Sequence, residues 1–231
     1  MKRSFVFEKD YNIILRLEAE EALCGKKGKV LNIACEFNLI PDFLKGLVNV
    51  GDVYGVEINE EVVKTTPNIR FCDVDRDLFP FDNASMDAVL SICGIEHFQT
   101  DNVFKETQRI LKETGRMIFI TPNVGNPLVL FNKISKGFAA RFYFRYLTDS
   151  LYQSHDTNYR FNTAGAIQKA AVKQGLRLIK VIYFGPSFFT KYFEFNRFLE
   201  VTVVLIDRLI TNQILGYFKP YLICVVEKSK M

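Results

Sequence analysis

His97 and His155 are the only histidines in the 231-residue chain. They are therefore the side chains whose unperturbed pKa, near ~6.5, lets them take a proton at neutral pH. Around them the chemistry thins out. The five cysteines, Cys24, Cys35, Cys72, Cys93 and Cys224, form no C-x-x-C pair. With two histidines this leaves no zinc-type ligand set, and buried reduced thiols are the simpler reading. Glu57 and Asp73 each close a short apolar run, a placement that says little by itself. The glycine pattern G-x-G-x-x-G, which a dinucleotide-binding oxidoreductase needs after its first strand, is missing. The net charge of +4 is mild, and basic residues occur as scattered pairs such as Lys26-Lys27. No stripe of the kind that grips nucleic acid is present.

The elements that must position these groups follow an alternating plan. Val30–Ala34, Asp52–Ile58, Ile69–Cys72, Met86–Cys93, Arg116–Thr121, Leu176–Tyr183 and Tyr221–Glu227 read as seven strands. Ile40–Leu47, Glu60–Lys64, Asn102–Lys112 and Thr163–Gln174 read as helices between them. The alternation predicts an α/β fold with a mainly parallel sheet covered on both faces. Ligands then belong in the crevice beyond the carboxyl ends of the strands. Thr163 is an expected helix N-cap, and Gly175 and Gly115 are expected left-handed residues at helix ends. A hydrophobic fraction of 48% supports a sizeable core, read here as a single domain over 1–231. Two aromatic, apolar segments, at about 124–160 and 186–220, exceed what such a domain needs and read as insertions. In the second, Arg197 to Leu215 has helical spacing with a narrow polar stripe of Glu200, Asp207 and Arg208. Burial in the core, a homodimer contact and a membrane-surface contact all fit that pattern. The N-terminus lacks the apolar run of a signal peptide, which fits a cytoplasmic protein, with peripheral membrane attachment as the variant reading.

Four phrases resemble the class I, Rossmann-like methyltransferases that use S-adenosylmethionine, in particular their type 11 small-molecule group. The likeness runs from about Lys29 to Asn123. The most specific phrase is Leu78 to Val89 (LFPFDNASMDAV), which follows L-P-F-x-D-x-S-F-D-x-V with Met86 in the Phe slot. Arg109 to Arg116 (RILKETGR) is similar to R-x-L-K-P-G-G. Asp52 to Glu57 matches a second strand ending in an acid, and Phe71 to Val74 the segment after the third. The resemblance implies a seven-stranded sheet with the last strand antiparallel. It also implies S-adenosylmethionine as donor and a small-molecule acceptor. On it, Glu57, with Ile58 after it, faces the donor's ribose, Asp73 and Val74 its adenine, and Cys93 lies at the crevice. The family loop D-x-G-x-G-x-G falls on Asn32, Ala34, Glu36 and Asn38, so every glycine is replaced. Asn38 is the residue there best able to turn left-handed.

Two consequences stay open. Glu36 restores near the donor's ammonium the charge that Asn32 lacks, or it opposes the donor's carboxylate. Like charges at ~4 Å cost on the order of 4 kcal/mol at an effective dielectric of ~20. The chain is then an enzyme methylating a hydroxyl of a glycan or lipid-linked precursor, or a methyltransferase-like binding or regulatory protein without activity. For an oxygen acceptor a base is useful. His155, in His-x5-Phe-x-Thr, is the first candidate and His97 the second, with Tyr152, Tyr159 and Asn123 as further pocket residues.

Overall fold

The computed structural model describes residues 1–6, 11–23, 25, 27–36, 38–45, 47, 49–136, 138, 157–185, 201–202 and 215–229. Its strands are β1 (Lys2–Val6), β2 (Gly28–Ile33), β3 (Val50–Glu57), β4 (Ile69–Phe71), β5 (Met86–Ile92), β6 (Leu111–Pro122), β7 (Leu176–Phe184) and β8 (Tyr221–Lys228). They form one sheet in the order β1-β7-β8-β6-β5-β2-β3-β4. Only β8 runs against its neighbours, pairing antiparallel with both β6 and β7. All seven expected strands are present. The eighth, β1, joins the edge parallel to β7; its sequence, KRSFV, carries no apolar alternation to announce it.

The helices are α1 (Tyr11–Leu23), α2 (Glu60–Thr65), α3 (Asn102–Ile110), α4 (Pro127–Ile134) and α5 (Ala164–Lys173). Parallel strands buried on both faces read as unbroken apolar runs, and successive residues supply opposite cores. Thus Leu31, Val89, Met117, Phe119, Cys224 and Val226 meet Phe104 of α3 and Ile167 of α5. Val30, Leu90, Ile118, Ile120, Ile223 and Val225 meet Ile14, Leu15 and Ala19 of α1 on the other side.

Local details depart from expectation for physical reasons. Ile40–Leu47 makes turns closed by Leu44 to Pro41, Lys45 to Asp42 and Leu47 to Leu44 hydrogen bonds. Burial of Phe43, Leu44 and Leu47 fixes the segment in these turns. Helix α3 stops at Ile110, because the carbonyls of Arg109 and Ile110 accept the Ala84 and Ser85 amides. Leu111 then turns extended and buried. The left-handed residue after it is Thr114 (φ 62°), not Gly115. Gly115 is needed for space, since a Cβ there would lie 2.9 Å from the Lys112 carbonyl oxygen. Thr163 caps α5 through the Ala166 amide, and Gly175 is left-handed, as expected.

No described helix is long and apolar enough to cross a membrane. Of Arg197–Leu215, only 201–202 and 215 are among the described residues.

Candidate functional site

At the carboxyl ends of β2, β4 and β5 three loops converge, beside the end of β3. The first follows β2. Ala34 and Glu36 sit at φ 52° and 46°, in the left-handed region. These are two of the three positions where the family pattern has glycine, so the backbone path that glycines favour is kept by residues that disfavour it. Asn38 does not share it; its amide closes a turn onto the Cys35 carbonyl (2.9 Å). Two anchors hold the loop. The buried Asn32 donates its side-chain N–H groups to the Asn38 and Leu39 carbonyls (3.1 and 3.2 Å). The Glu36 amide donates to Glu57 Oε2 (3.0 Å), while Glu57 Oε1 accepts from Ile58 and Asn59 (2.8 and 3.2 Å). Glu57 thus ties the loop to the end of β3, and Ile58 is exposed beside it.

The second loop follows β4. The Cys72 amide donates to the Glu57 carbonyl (3.0 Å), which sets Asp73 next to the first loop. Asp73 Oδ1 accepts the Asp75 amide, and its Oδ2 lies 3.7 Å from Arg76. Val74 is buried, and its carbonyl, like that of Asp77, accepts from Asn102 at the start of α3. Asp75 takes the Gln99 and Thr100 amides, stitching this loop to the third.

The third loop follows β5. Cys93 is exposed and left-handed (φ 52°). A Cβ on Gly94 would come within 2.9 Å of Ala34 Cβ, so the first and third loops touch. Asn32, Ala34, Glu36, Glu57, Asp73 and Cys93 therefore share one rim, with Asn38 exposed on the first loop and Val74 buried in the second.

Beyond the rim lies a polar cluster that sequence reading passed over. Glu96 is buried, and burial raises its carboxyl to about 7. Thr121 Oγ1 donates to it (3.2 Å), and Asn162 donates to Thr121 and to the Pro122 carbonyl (both 2.8 Å). Only the adjoining Glu96-His97 pair hinted at it in the sequence. The Glu96 carbonyl accepts the Asn158 and Tyr159 amides, and the Tyr159 hydroxyl accepts from Asn132 of α4. His97 is half-buried in the turn after β5. Asn123 is spent on the Tyr217 and Lys219 carbonyls and the Gly125 amide. His155 and Tyr152 lie outside the described residues.

The most recognisable phrases prove to be scaffolding. Glu106 is wholly buried and pairs with Arg109 (2.7 Å), while accepting the Phe79 amide. Arg109 also donates to the Phe79 and Phe81 carbonyls and to Asn83. The pair clamps the Leu78–Asn83 loop onto α3. A cavity of about 640 Å³ lies here, lined by Tyr54, Arg70, Phe81 and Met86 among others. It sits toward the amino ends of β2 and β5, away from the rim.

A family model described as a methyltransferase domain matches residues 31–119. A sequence comparison with curated proteins gives no match. Solved structures share the fold at low identity. A protein of Galdieria sulphuraria assigned as a sarcosine dimethylglycine methyltransferase is 15% identical, with a TM-score of 0.60 over 94% of this chain and 85% of that one. An S-adenosylmethionine dependent methyltransferase from Mesorhizobium loti is 15% identical, with a TM-score of 0.54 over 91% and 96%. Geranyl diphosphate C-methyltransferase from Streptomyces coelicolor, solved with S-adenosyl-L-homocysteine, is 13% identical, with a TM-score of 0.55 over 95% and 76%. Residues 31–119 of this chain thus match a methyltransferase-domain model, and the chain shares the fold of solved S-adenosylmethionine-dependent methyltransferases.

Proposed function

We propose that the chain binds S-adenosylmethionine along the rim and transfers its methyl group to a small-molecule acceptor. The observation that carries this is the left-handed backbone at Ala34 and Glu36, held without glycine against Glu57. A loop that had merely decayed would relax to a cheaper path. Three backbone amides occupy three of the roughly four acceptor sites of Glu57, two on Oε1 and one on Oε2, which leaves Oε2 able to accept from one ribose hydroxyl. Asp73 stands where an adenine amino group can donate to it, with the Val74 amide beside it. Asn32, Ala34, Asn38, Ile58 and Cys93 shape the remaining wall. Glu36 is exposed, suited to the donor's ammonium and unsuited to its carboxylate.

The donor supplies an activated methyl on a sulfonium; the protein's part is to position donor and acceptor in line and to shed the acceptor's proton. A hydroxyl of a glycan or lipid-linked precursor is the acceptor proposed, with His155 as base and His97 as a shaping residue. The chain acts as a single domain, with 124–160 and 186–220 forming the acceptor side and a dimer contact through 197–215. The setting proposed is cytoplasmic, at a membrane surface when the acceptor is lipid-linked.

Calorimetry with S-adenosylmethionine and its demethylated product tests the donor site. Glu57→Ala and Asp73→Ala should each weaken binding by ~1–3 kcal/mol, as for loss of a charged hydrogen-bond partner. Absence of binding by the unaltered protein at millimolar donor overturns this reading. It would favour a second one, a binding or regulatory protein, for which the bulk and charge of Glu36 in the donor loop speak.

A further inference from the structure

Helix α4 leaves the carboxyl end of β6 at the rim and is tied there by Asn132 to Tyr159 (2.8 Å). Its inner side is marked by the buried Val129. At ~100° per residue, Leu130, Phe131 and Ile134 fall on the opposite side. They are 41%, 59% and 70% exposed. Phe138, just past the helix, is 67% exposed. Phe218, whose carbonyl accepts from Asn126 at the start of α4, adds another exposed ring at 47%. The face a surface helix normally gives to water is here apolar.

Among the described residues from 124 to 138 the charged side chains are Lys133 and Lys136, both basic and both exposed. Helix α1 offers the contrast. Its exposed Ile13 and Leu17 share the helix with Glu18, Glu20 and Glu21 and a lone Arg16. An outward apolar face flanked by cations and aromatic rings is the pattern of a helix lying in the headgroup region of an anionic bilayer. Neither an apolar core nor water satisfies both halves of it.

We infer that the outer face of α4, with Leu130, Phe131 and Ile134 and with the exposed Lys133 at its flank, docks the protein on an anionic lipid surface. Such docking turns the rim beside α4 toward the membrane, where a lipid-linked acceptor presents its head. The inference deepens the acceptor reading above, yet its test needs neither donor nor acceptor, so the two can fail separately.

The test is flotation with vesicles of phosphatidylcholine alone and of phosphatidylcholine mixed with phosphatidylserine, at low and high salt. The unaltered protein should float with the mixed vesicles and lose binding as salt rises. The double variant Phe131→Ser/Ile134→Ser should bind at least tenfold more weakly, because the side chains that enter the acyl boundary are gone. Lys133→Gln should cost about fivefold, the worth of one cation near such a surface. Leu17→Ser on α1 should bind as the unaltered protein does. No binding to mixed vesicles, or equal binding by the double variant, overturns the inference. So does a protein that ignores vesicles but runs as a dimer that Phe131→Ser/Ile134→Ser makes monomeric, since the face then covers a second copy.

Discussion

Replacing Glu36 by glycine should make the protein more stable, although it removes a whole side chain. Glu36 sits at φ 46°, where an L-residue with a Cβ loses roughly 1–2 kcal/mol against its usual conformations. Glycine escapes that cost but has more freedom to lose on folding, a penalty of about 0.4–1 kcal/mol. The exposed side chain fills no core space, and the amide that donates to Glu57 is backbone and survives the change. The balance is a gain of about 0.5–1 kcal/mol. In a chain of this size ~1 kcal/mol moves the midpoint by ~2–4 °C. Two companions isolate the cause. Glu36→Ala keeps the Cβ and removes the charge, so it should leave the melting temperature nearly unchanged. Ala34→Gly relieves similar strain at φ 52° but withdraws a methyl group packed against the core, worth ~0.8 kcal/mol, and should come out close to neutral. Thermal melts without donor measure all three. If Glu36→Ala stabilises as much as Glu36→Gly, charge rather than backbone strain is what the loop tolerates. If Glu36→Gly destabilises, the left-handed path carries no such strain.

Two other outcomes are expected. Asn32→Asp restores the family's residue type but replaces a donor by a carboxylate facing the Asn38 and Leu39 carbonyls. It should destabilise by ~1–3 kcal/mol for the lost bonds and buried charge, and an unchanged urea midpoint would contradict the role given to Asn32. Glu96 has its carboxyl raised by burial from 4.5 to about 7, so the folded state holds its proton longer than the unfolded state does. Stability therefore falls as pH rises between about 4.5 and about 7. Glu96→Gln should flatten that part of the profile in denaturant titrations at several pH values; a profile that stays as steep would place the titration elsewhere.

The fold was legible because its strands are buried on both faces. A run such as Met86–Ile92 can be little else in an alternating chain. β1 was not, since a parallel edge strand is defined by its partner β7, far away in sequence. Glu57 and Asp73 could be placed at strand ends from the sequence, and the structure sets them at one rim. What sequence could not supply was the backbone of the first loop. Asn38 is the better left-handed former by type, yet Ala34 and Glu36 take that conformation, because Asn32 and Glu57 grip the loop on either side. Residue types likewise gave no sign that the Leu78–Asn83 phrase serves as a clasp. That depends on Glu106 and Arg109 meeting it across α3. The acceptor-side candidates His155 and Tyr152 lie outside the described residues.

The edge strand β1 also has a bearing on how the chain reaches its fold. Lys2 pairs with Lys180 and Val6 with Phe184, so β1 emerges from the ribosome long before the strand it must join. Contacts of such sequence separation close late. Until they do, the side of β7 that faces away from β8 is an open hydrogen-bonding edge, the kind that recruits foreign strands. Newly made chains should thus pass through a stage in which most of the sheet is assembled but its rim is unsealed. The rate of that last closure would set how long they depend on chaperones.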